Sequence, residues 1–301
     1  MLKHHHATPT PPARVVILGA TGFIARDLAQ FLGSQQVPVE LVGSARVDLL
    51  QPDAVEKLRA RLRPDDALVV TSALTPEKGK DVPTFMKNLT MAASVCAAVE
   101  ASPCAHLVYL SSDAVFEDPP TLLSEQAPRA GIGLYGKMHA AREEMLHFSA
   151  AVAKTPLCII RPCAVYGAGD THNSYGPNRF FRTALKDRKV QLFGNGEEQR
   201  DHIHVRDLTR LIGLCLARRT AGALNAATGR AVTFMEAAQQ VARLCPQPVE
   251  IICQPRAANA VITHRHFDVS LLLREFPDFH CQALADGLAQ VHRQLTSTPA
   301  T

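Results

Sequence analysis

From Arg14 onward, short apolar runs rich in β-branched residues alternate with longer stretches whose apolar residues recur at helical spacing. Runs of the first kind are typical of buried strands, and stretches of the second kind are typical of amphipathic helices. The predicted strands cover residues 15–18, 37–42, 67–70, 106–110 and 157–160, and the predicted helices cover 23–32, 54–62, 85–99 and 134–153. This alternation predicts an α/β fold with a doubly wound parallel sheet.

The alternation changes after Gly167, where loops rich in Gly, Asn and Pro separate shorter elements. Helices are predicted near 180–185, 206–216 and 234–244, with short strands between them. We therefore predict a disordered tail at 1–13, a sheet domain at 14–168 and a smaller C-terminal α/β substrate lobe at 169–301. The two larger parts form one unit, and the chain is expected to cross back to the first domain.

The first predicted strand runs directly into Gly19-Ala-Thr-Gly22-Phe-Ile-Ala25. One glycine permits a tight turn, and the other lets the backbone approach a pyrophosphate at the N-terminus of the next helix. The third small position is Ala25, which still permits close packing of helix on strand. A purely structural turn is the alternative. The motif predicts a Rossmann-type NAD(P) site whose contacts are Gly19, Thr21, Gly22, Phe23 and Ile24.

The end of the second predicted strand bears on the choice of cofactor. The sequence Val42-Gly-Ser44-Ala-Arg46 contains no acidic residue for the ribose 2′-hydroxyl of NAD. Ser44 and Arg46 suit a 2′-phosphate, because a planar guanidinium makes paired, charge-assisted hydrogen bonds to phosphate oxygens. These residues favour NADP over NAD, and an ordinary surface-loop arginine is the alternative.

Two further segments carry hydroxyl groups. The fourth predicted strand ends in Ser111-Ser112-Asp113, at the carboxyl edge of the sheet, where ligands of such folds bind. Tyr135 follows in Leu134-Tyr135-Gly136-Lys137-Met138-His139, near the start of a predicted helix.

Together these motifs resemble those of the extended short-chain dehydrogenases/reductases, the NAD-dependent epimerase/dehydratase family, over nearly the whole chain. Within that family the chain is similar to nucleotide-sugar epimerases and to reductases of the dTDP-4-dehydrorhamnose type. The resemblance implies that Ser112 polarises a substrate oxygen and that Tyr135 exchanges a proton with it, while the cofactor supplies or accepts hydride. It also implies that Asn88 supports the active-site helix. Further implied cofactor contacts are Asp48, Ala73, Tyr135, His139 and Arg161.

The chain departs from the family pattern at His139, where a lysine is expected four residues after the tyrosine. That lysine holds the nicotinamide ribose and lowers the tyrosine pKa. Lys137 points to another side of the helix, whereas Arg142 lies two turns after Tyr135 on roughly the same face. As a cation, His139 would assist only below a pKa of about 6.5, so that the rate would decline as the pH rises through that value.

The resemblance also places nucleotide-sugar contacts in the second lobe. Arg200-Asp201 follows a Gly-Asn-Gly turn and resembles an Arg-Asp pair whose arginine meets a diphosphate. Asp201 would orient this arginine or contact a ribose, and a surface ion pair is the alternative. The implied substrate-binding residues are Ser112, Asp113, Asn178, Arg179, Arg200 and Asp201.

Reduction of a keto-sugar with Tyr135 as proton donor ranks slightly above epimerisation, because Ser112-Asp-Ala-Val-Phe116 resembles the reductases while the Arg200 region resembles the epimerases. Dehydration is disfavoured, since Ala114 stands where a dehydratase has a glutamate after the aspartate. A non-catalytic NAD(P)-binding sensor or assembly subunit is the alternative of another class, motivated by His139.

Composition excludes several other classes. The 301 residues are 47% hydrophobic and 20% charged with a net charge of +4, the balance of an ordinary globular protein. Basic residues form no stripe with aromatics and no apolar stretch spans a bilayer, so neither nucleic acid nor membrane is an expected partner. Eight cysteines without CxxC spacing indicate reduced thiols in the cytoplasm, and scattered histidines without carboxylates indicate no metal site. The helices at 85–99 and 134–153 are candidates for pairing in a homodimer.

Overall fold

The computed structural model of the protein describes residues 2–117, 122–131, 133–173, 175–256 and 262–297. The strands are β1 (Lys3–His4), β2 (Arg14–Leu18), β3 (Val39–Val42), β4 (Asp66–Val70), β5 (His106–Leu110), β6 (Leu157–Pro162), β7 (Ala164–Tyr166), β8 (Lys189–Phe193), β9 (Gln199–His204), β10 (Thr220–Ala226), β11 (Ala231–Thr233) and β12 (Glu250–Gln254). The helices are α1 (Phe23–Ser34), α2 (Ala54–Arg59), α3 (Val82–Ala101), α4 (Gly133–Ala153), α5 (Pro177–Asp187), α6 (Val205–Ala217), α7 (Phe234–Leu244), α8 (Ser270–Glu275) and α9 (Leu284–Ser297).

The main sheet of the described residues has the strand order β1-β10-β6-β5-β4-β2-β3. Every neighbouring pair runs parallel except β1 and β10. Alternate residues of β2 face opposite ways, as in any strand. Val15 and Ile17 pack with the apolar side chains of α1 and α6, whereas Val16 and Leu18 pack with those of α2, α3 and α4. Helices therefore cover both faces, which confirms the predicted doubly wound sheet.

A smaller lobe follows the main sheet. It contains the sheet β11-β9-β7 and the pair β12-β8, and its core joins Phe180 and Phe181 of α5 to Val241 of α7 and Leu288 of α9. Between these elements the chain returns to the first domain: α6 packs against α1, and β10 pairs with β6. This return brings the carboxyl end of β9 close to the main sheet.

The structure corrects the predicted disordered tail at 1–13, of which Met1 lies outside the described residues. Lys3 and His4 pair antiparallel with Ala221 and Thr220, and Leu2 is buried in the main core at 8% exposure. The backbone N–H groups of residues 6 and 10 also donate to carbonyl groups at the end of α6 and just after it. These hydrogen bonds cannot be read from a polar, proline-rich composition, because their partners lie more than 200 residues away in the sequence.

Candidate active site

The glycine turn between β2 and α1 forms an open helix N-terminus at the carboxyl edge of the sheet. Gly19 has a φ of +102°, and a Cβ there would lie 2.7 Å from Thr71 Oγ1, so no other residue fits. Gly22 precedes α1, and no side chain among the described residues caps the helix there, which leaves its first amide groups available to an anion. Thr21 is exposed beside it and Ile24 is half-buried. The Phe23 ring packs beneath Gly167, where a Cβ would lie 2.8 Å from it.

The residues predicted to select the cofactor follow β3. Ser44 and Arg46 are exposed in a turn closed by a 2.9 Å hydrogen bond from the Arg46 backbone N–H to Gly43 O. Within the described residues, no partner is found for the Arg46 guanidinium. The Asp48 carboxylate accepts hydrogen bonds from the Leu50 N–H at 3.1 Å and the Gln51 amide at 3.2 Å, and so orders its own loop.

Asn88 holds the loop that follows β4. Its Oδ1 accepts from the Leu74 N–H at 2.8 Å, and its Nδ2 donates to Leu74 O at 3.0 Å. Nδ2 also donates to Thr84 O of α3 at 3.2 Å, so the amide of Asn88 holds the loop and its own helix, and the implied support of the active-site helix stays a prediction. Asn88 therefore fixes Ala73, the predicted cofactor contact next to Leu74, in its half-buried position.

Ser112 and Tyr135 come together where α4 begins. Ser112 caps the short 3-10 turn Asp113–Val115: its Oγ accepts from the Ala114 N–H at 3.1 Å and donates to Asp113 Oδ1 at 3.3 Å. A Cβ at Gly136 would lie 2.0 Å from Ala114 O, so only glycine lets the first turn of α4 approach this closely. That approach brings the Tyr135 hydroxyl within hydrogen-bonding reach of Ser112.

The environment of Tyr135 keeps its hydroxyl protonated. Burial raises the pKa of Tyr135 to about 12, and the negative charges of Asp113 and Glu77 act in the same direction. The positive charge of Arg142 and the hydrogen bond with Ser112 partly oppose this rise.

His139 lies one turn after Tyr135 and contacts its ring edge-on, with 4.7 Å between centroids. Its Nδ1 is 2.6 Å from the Tyr109 hydroxyl, and within the described residues its buried Nε2 has no partner. Burial, and then the charge of Arg142, lowers the pKa of His139 to about 3. This corrects the hypothesis of a cationic His139 whose charge is lost near neutral pH, because the ring is already neutral throughout that range.

Glu143 forms the next contact of α4 with the β5 region. The Ser111 hydroxyl donates to Glu143 Oε1 at 2.6 Å, just as Tyr109 meets His139 one step earlier. The two pairs match because four helical residues rise about 6 Å and two strand residues about 6.6 Å. The contacts of Tyr109 and Ser111 thus fix how β5 and α4 are aligned along their lengths.

Arg161 pairs with the same carboxylate. Its Nε and Nη2 donate to the two oxygens of Glu143 at 2.9 and 2.7 Å, and its Nη1 donates to Glu125 O at 3.1 Å. It also lines a groove of about 740 Å³ between α4 and strands β6 and β10, which includes no other predicted cofactor contact. The buried ion pair with Glu143 holds the Arg161 guanidinium in this structure, and its contact with a cofactor stays a prediction.

On the substrate side, the predicted residues differ in whether their side chains bind other parts of the protein. Asn178 is buried and its Oδ1 accepts from the Gly167 N–H at 3.0 Å, so its amide holds the crossover between lobes. Asp201 is also buried, and it accepts from the N–H groups of Thr228 and Gly229 at 3.1 and 2.7 Å. Both side chains thus hold backbone of the second lobe, and their contact with a substrate stays a prediction. Half-buried Arg179 makes no such side-chain contact within the described residues.

Arg200 pairs with Glu198 and donates to Thr263 Oγ1 at 2.8 Å. The partner of Asp113 is Arg265, whose Nη1 donates to Asp113 O at 2.6 Å. Sequence reasoning missed Arg265, because this residue belongs to no motif and follows Ser112 by more than 150 positions. The Glu77–His172 contact, which joins the loop after β4 to the second lobe, was missed for the same reason. The position of Tyr109 could have been predicted from the sequence, because residues two apart in a strand share a face and Tyr109 precedes Ser111 by two.

Comparison with known proteins adds to this geometry. A family model described as the NAD dependent epimerase/dehydratase family matches residues 15–227. A dTDP-4-dehydro-6-deoxy-D-allose reductase of Streptomyces bikiniensis is 30% identical over 146 residues, which are 46% of this chain and 43% of that protein. Methionine adenosyltransferase 2 subunit beta of Rattus norvegicus is 29% identical over 160 residues, or 49% of this chain and 47% of that subunit. The chain thus matches less than half the length of either relative.

Among solved structures, the UDP-glucose 4-epimerase of Thermus thermophilus, in complex with NAD, superposes with a TM-score of 0.85 at 19% identity, over 95% of this chain and 99% of that one. Likeness at this identity shows the fold, and it confirms the Rossmann-type α/β prediction. In the part of the chain that the structure describes, no helix has the length and apolarity needed to cross a bilayer.

Proposed function

The chain belongs to the NAD-dependent epimerase/dehydratase family, as its motifs predicted, and on this basis we propose that it reduces the keto group of a nucleotide-linked sugar. The observation that carries the proposal is the protonated Tyr135 hydroxyl beside Ser112. Reduction of a ketone needs a proton donor at the carbonyl oxygen, whereas oxidation of an alcohol needs a base. A tyrosine whose pKa is raised to about 12 is protonated at neutral pH, so it carries a proton to donate and offers no base for the oxidation.

The proposed mechanism assigns one task to each hydroxyl. The Ser112 hydroxyl turns from Asp113 Oδ1 to donate a hydrogen bond to the substrate carbonyl oxygen and polarises it. The reduced nicotinamide, when bound, supplies hydride to the carbonyl carbon. The Tyr135 hydroxyl transfers its proton to the same oxygen, which completes the alcohol. The charges of Asp113 and Glu77 favour the protonated tyrosine before this transfer, and the charge of Arg142 stabilises the tyrosinate that the transfer leaves.

The residues present fit a dinucleotide cofactor. The space at Gly19 that admits no Cβ and the uncapped N-terminus of α1 suit a pyrophosphate. Buried polar atoms without partners in the described residues, Ser72 Oγ and His139 Nε2 among them, suit a hydroxyl-rich ligand near the catalytic tyrosine. We infer that NADPH is preferred, because the exposed Arg46 and Ser44 offer donors to a 2′-phosphate.

Replacing Arg46 with alanine is expected to weaken NADPH binding by about 10- to 100-fold, because charged hydrogen bonds to the 2′-phosphate are lost. NADH affinity should not change. Calorimetric titration with both cofactors measures the difference, and Arg59→Ala, which removes an exposed arginine bonded to Ser102, is the control. Equal losses for both cofactors, or no loss, would contradict the assignment of Arg46.

A second candidate is a non-catalytic, NAD(P)-binding subunit of a larger assembly. It is favoured by the neutral, buried His139 at the position of the family lysine. It also draws support from the likeness to a protein named as a subunit of methionine adenosyltransferase. Such a protein would bind the cofactor without turning over a nucleotide sugar.

Incubation of the purified protein with NADPH and a panel of keto-sugars linked to dTDP, UDP or GDP tests the proposal. Oxidation of NADPH, together with a product heavier by two hydrogens, is expected for the reductase. Interconversion of isomers without net oxidation would replace reduction by epimerisation. Cofactor binding without any product would favour the subunit.

A homodimer is also proposed, from the apolar residues that α3 and α4 leave exposed. Val82 and Met86 lie one turn apart on α3, and Phe148 and Val152 lie one turn apart on α4. Exposed apolar side chains in such rows are typical of interfaces. Light scattering of the purified protein distinguishes a dimer from a monomer.

A further inference from the structure

The active site lacks the positive charge that a lysine at position 139 would bring. His139 is neutral, because burial and the neighbouring Arg142 lower its pKa to about 3. Asp113 and Glu77 add negative charge around Tyr135 from the 3-10 turn and from the loop after β4. Arg142 is the cation that opposes them at Tyr135.

Arg142 lies on α4 one turn after His139, and its side chain is fully buried at 0% exposure. Its Nη2 donates to Ser72 O at 2.9 Å, and its guanidinium carbon lies 5.1 Å from the centre of the Tyr109 ring. Within the described residues its Nε and Nη1 have no hydrogen-bond partner. A buried guanidinium with two unpartnered nitrogens is costly, so such an arrangement calls for a ligand or an ordered water.

The free nitrogens of Arg142 do not stand alone. Ser72 Oγ and His139 Nε2 are also buried and unpartnered in the same part of the structure, as far as the described residues go. Ser72 connects this group to the glycine turn, because a Cβ at Gly19 would lie 3.1 Å from Ser72 N and 3.3 Å from its Cα. These groups without partners therefore lie between the glycine turn and Tyr135, where the ribose next to the nicotinamide of a bound dinucleotide would lie.

We propose that Arg142 replaces the missing lysine: its free Nε–H and Nη1–H groups hold the ribose next to the nicotinamide, and its charge acts on Tyr135 from one turn beyond His139. His139 then acts as a neutral spacer that Tyr109 holds in place. The inference rests on the proposed function, since it concerns the same cofactor and the same tyrosine.

The test compares NADPH with adenosine 2′,5′-bisphosphate, which contains the adenosine half of the cofactor and lacks the nicotinamide ribose. Arg142→Met removes the donors and the charge while keeping a long side chain. Calorimetry should show NADPH binding weakened by about 10- to 100-fold, from the loss of charged hydrogen bonds. Binding of the bisphosphate should stay unchanged, which also shows that the variant is folded.

A second variant distinguishes ribose binding from a packing role. Adding His139→Lys to Arg142→Met restores a lysine at the family position and should recover most of the NADPH affinity. Equal NADPH affinity in Arg142→Met and in the parent protein would overturn the inference, as would an equal loss for both ligands. If the parent protein binds neither NADPH nor NADH, the proposed function fails instead, and the two failures are thereby distinguished.

Discussion

Replacing Tyr135 with phenylalanine is expected to lower kcat for keto-sugar reduction by about 100- to 10,000-fold, the usual contribution of a positioned proton donor. The substitution removes one hydroxyl and keeps the ring that packs edge-on against His139. NADPH affinity and the thermal midpoint should therefore stay close to those of the parent protein. Steady-state kinetics and calorimetry on the same preparation measure the two effects separately.

Tyr166→Phe is the matched control for Tyr135→Phe. Tyr166 is 1% exposed, and its hydroxyl has no hydrogen-bond partner within the described residues. Removing that hydroxyl should leave the turnover unchanged, since the residue belongs to the core of the second lobe. If Tyr135→Phe retained the turnover of the control, Tyr135 would not be the proton donor.

We expect acid to unfold the protein at a pH well above the pH range in which exposed carboxylates titrate. Burial lowers the pKa of His106, His202 and His204 to about 4 and that of His139 to about 3. In the unfolded chain these side chains titrate near 6.5, so between pH 6.5 and 4 the unfolded state binds more protons. Stability is thus lost as the pH falls through this window, by about 2 kcal/mol for each histidine between pH 7 and 5. The sum of about 8 kcal/mol is comparable with the whole stability of a typical domain.

Urea unfolding followed by circular dichroism at pH 7, 6 and 5 checks this dependence. His202→Gln should reduce the loss between pH 7 and 5 by about a quarter, because one of the four deeply buried histidines is removed. His147→Gln, at an exposed position of α4, is the control and should leave the dependence unchanged. Burial raises the pKa of Asp27 and Asp207, which acts in the opposite direction, so the comparison stays at pH 5 and above. A flat profile would contradict the burial of neutral histidines.

Local rules accounted for the sheet and the core of the site. Strand and helix periodicity predicted the two-sided packing of β2, and the glycine turn was predicted because Gly19 must adopt a positive φ. The proximity of Ser112 and Tyr135 was implied by the resemblance, and the structure supplies its cause in Gly136, which lets α4 approach Ala114 O.

The remaining differences come from competition between partners that are distant in sequence. Arg161 was expected at the cofactor, but buried Glu143 offers it two carboxylate oxygens. Asp201 was expected near a phosphate, but the backbone at residues 228–229 occupies its carboxylate. His139 was expected to lose its charge near neutral pH, but α4 places it in a buried contact with Tyr109. In each case the residue type was informative, whereas the tertiary contacts could not be read from the sequence.

The short strand β1 has a consequence for how this protein behaves in solution. Without the pairing of Lys3 and His4, the seven-residue strand β10 would be the edge strand of the main sheet. An uncovered row of N–H and C=O groups invites pairing with a second chain. Lys3 and His4 cover Ala221 and Thr220 at the start of this edge, so detaching them would leave the whole outer side of β10 open to pairing with a second chain.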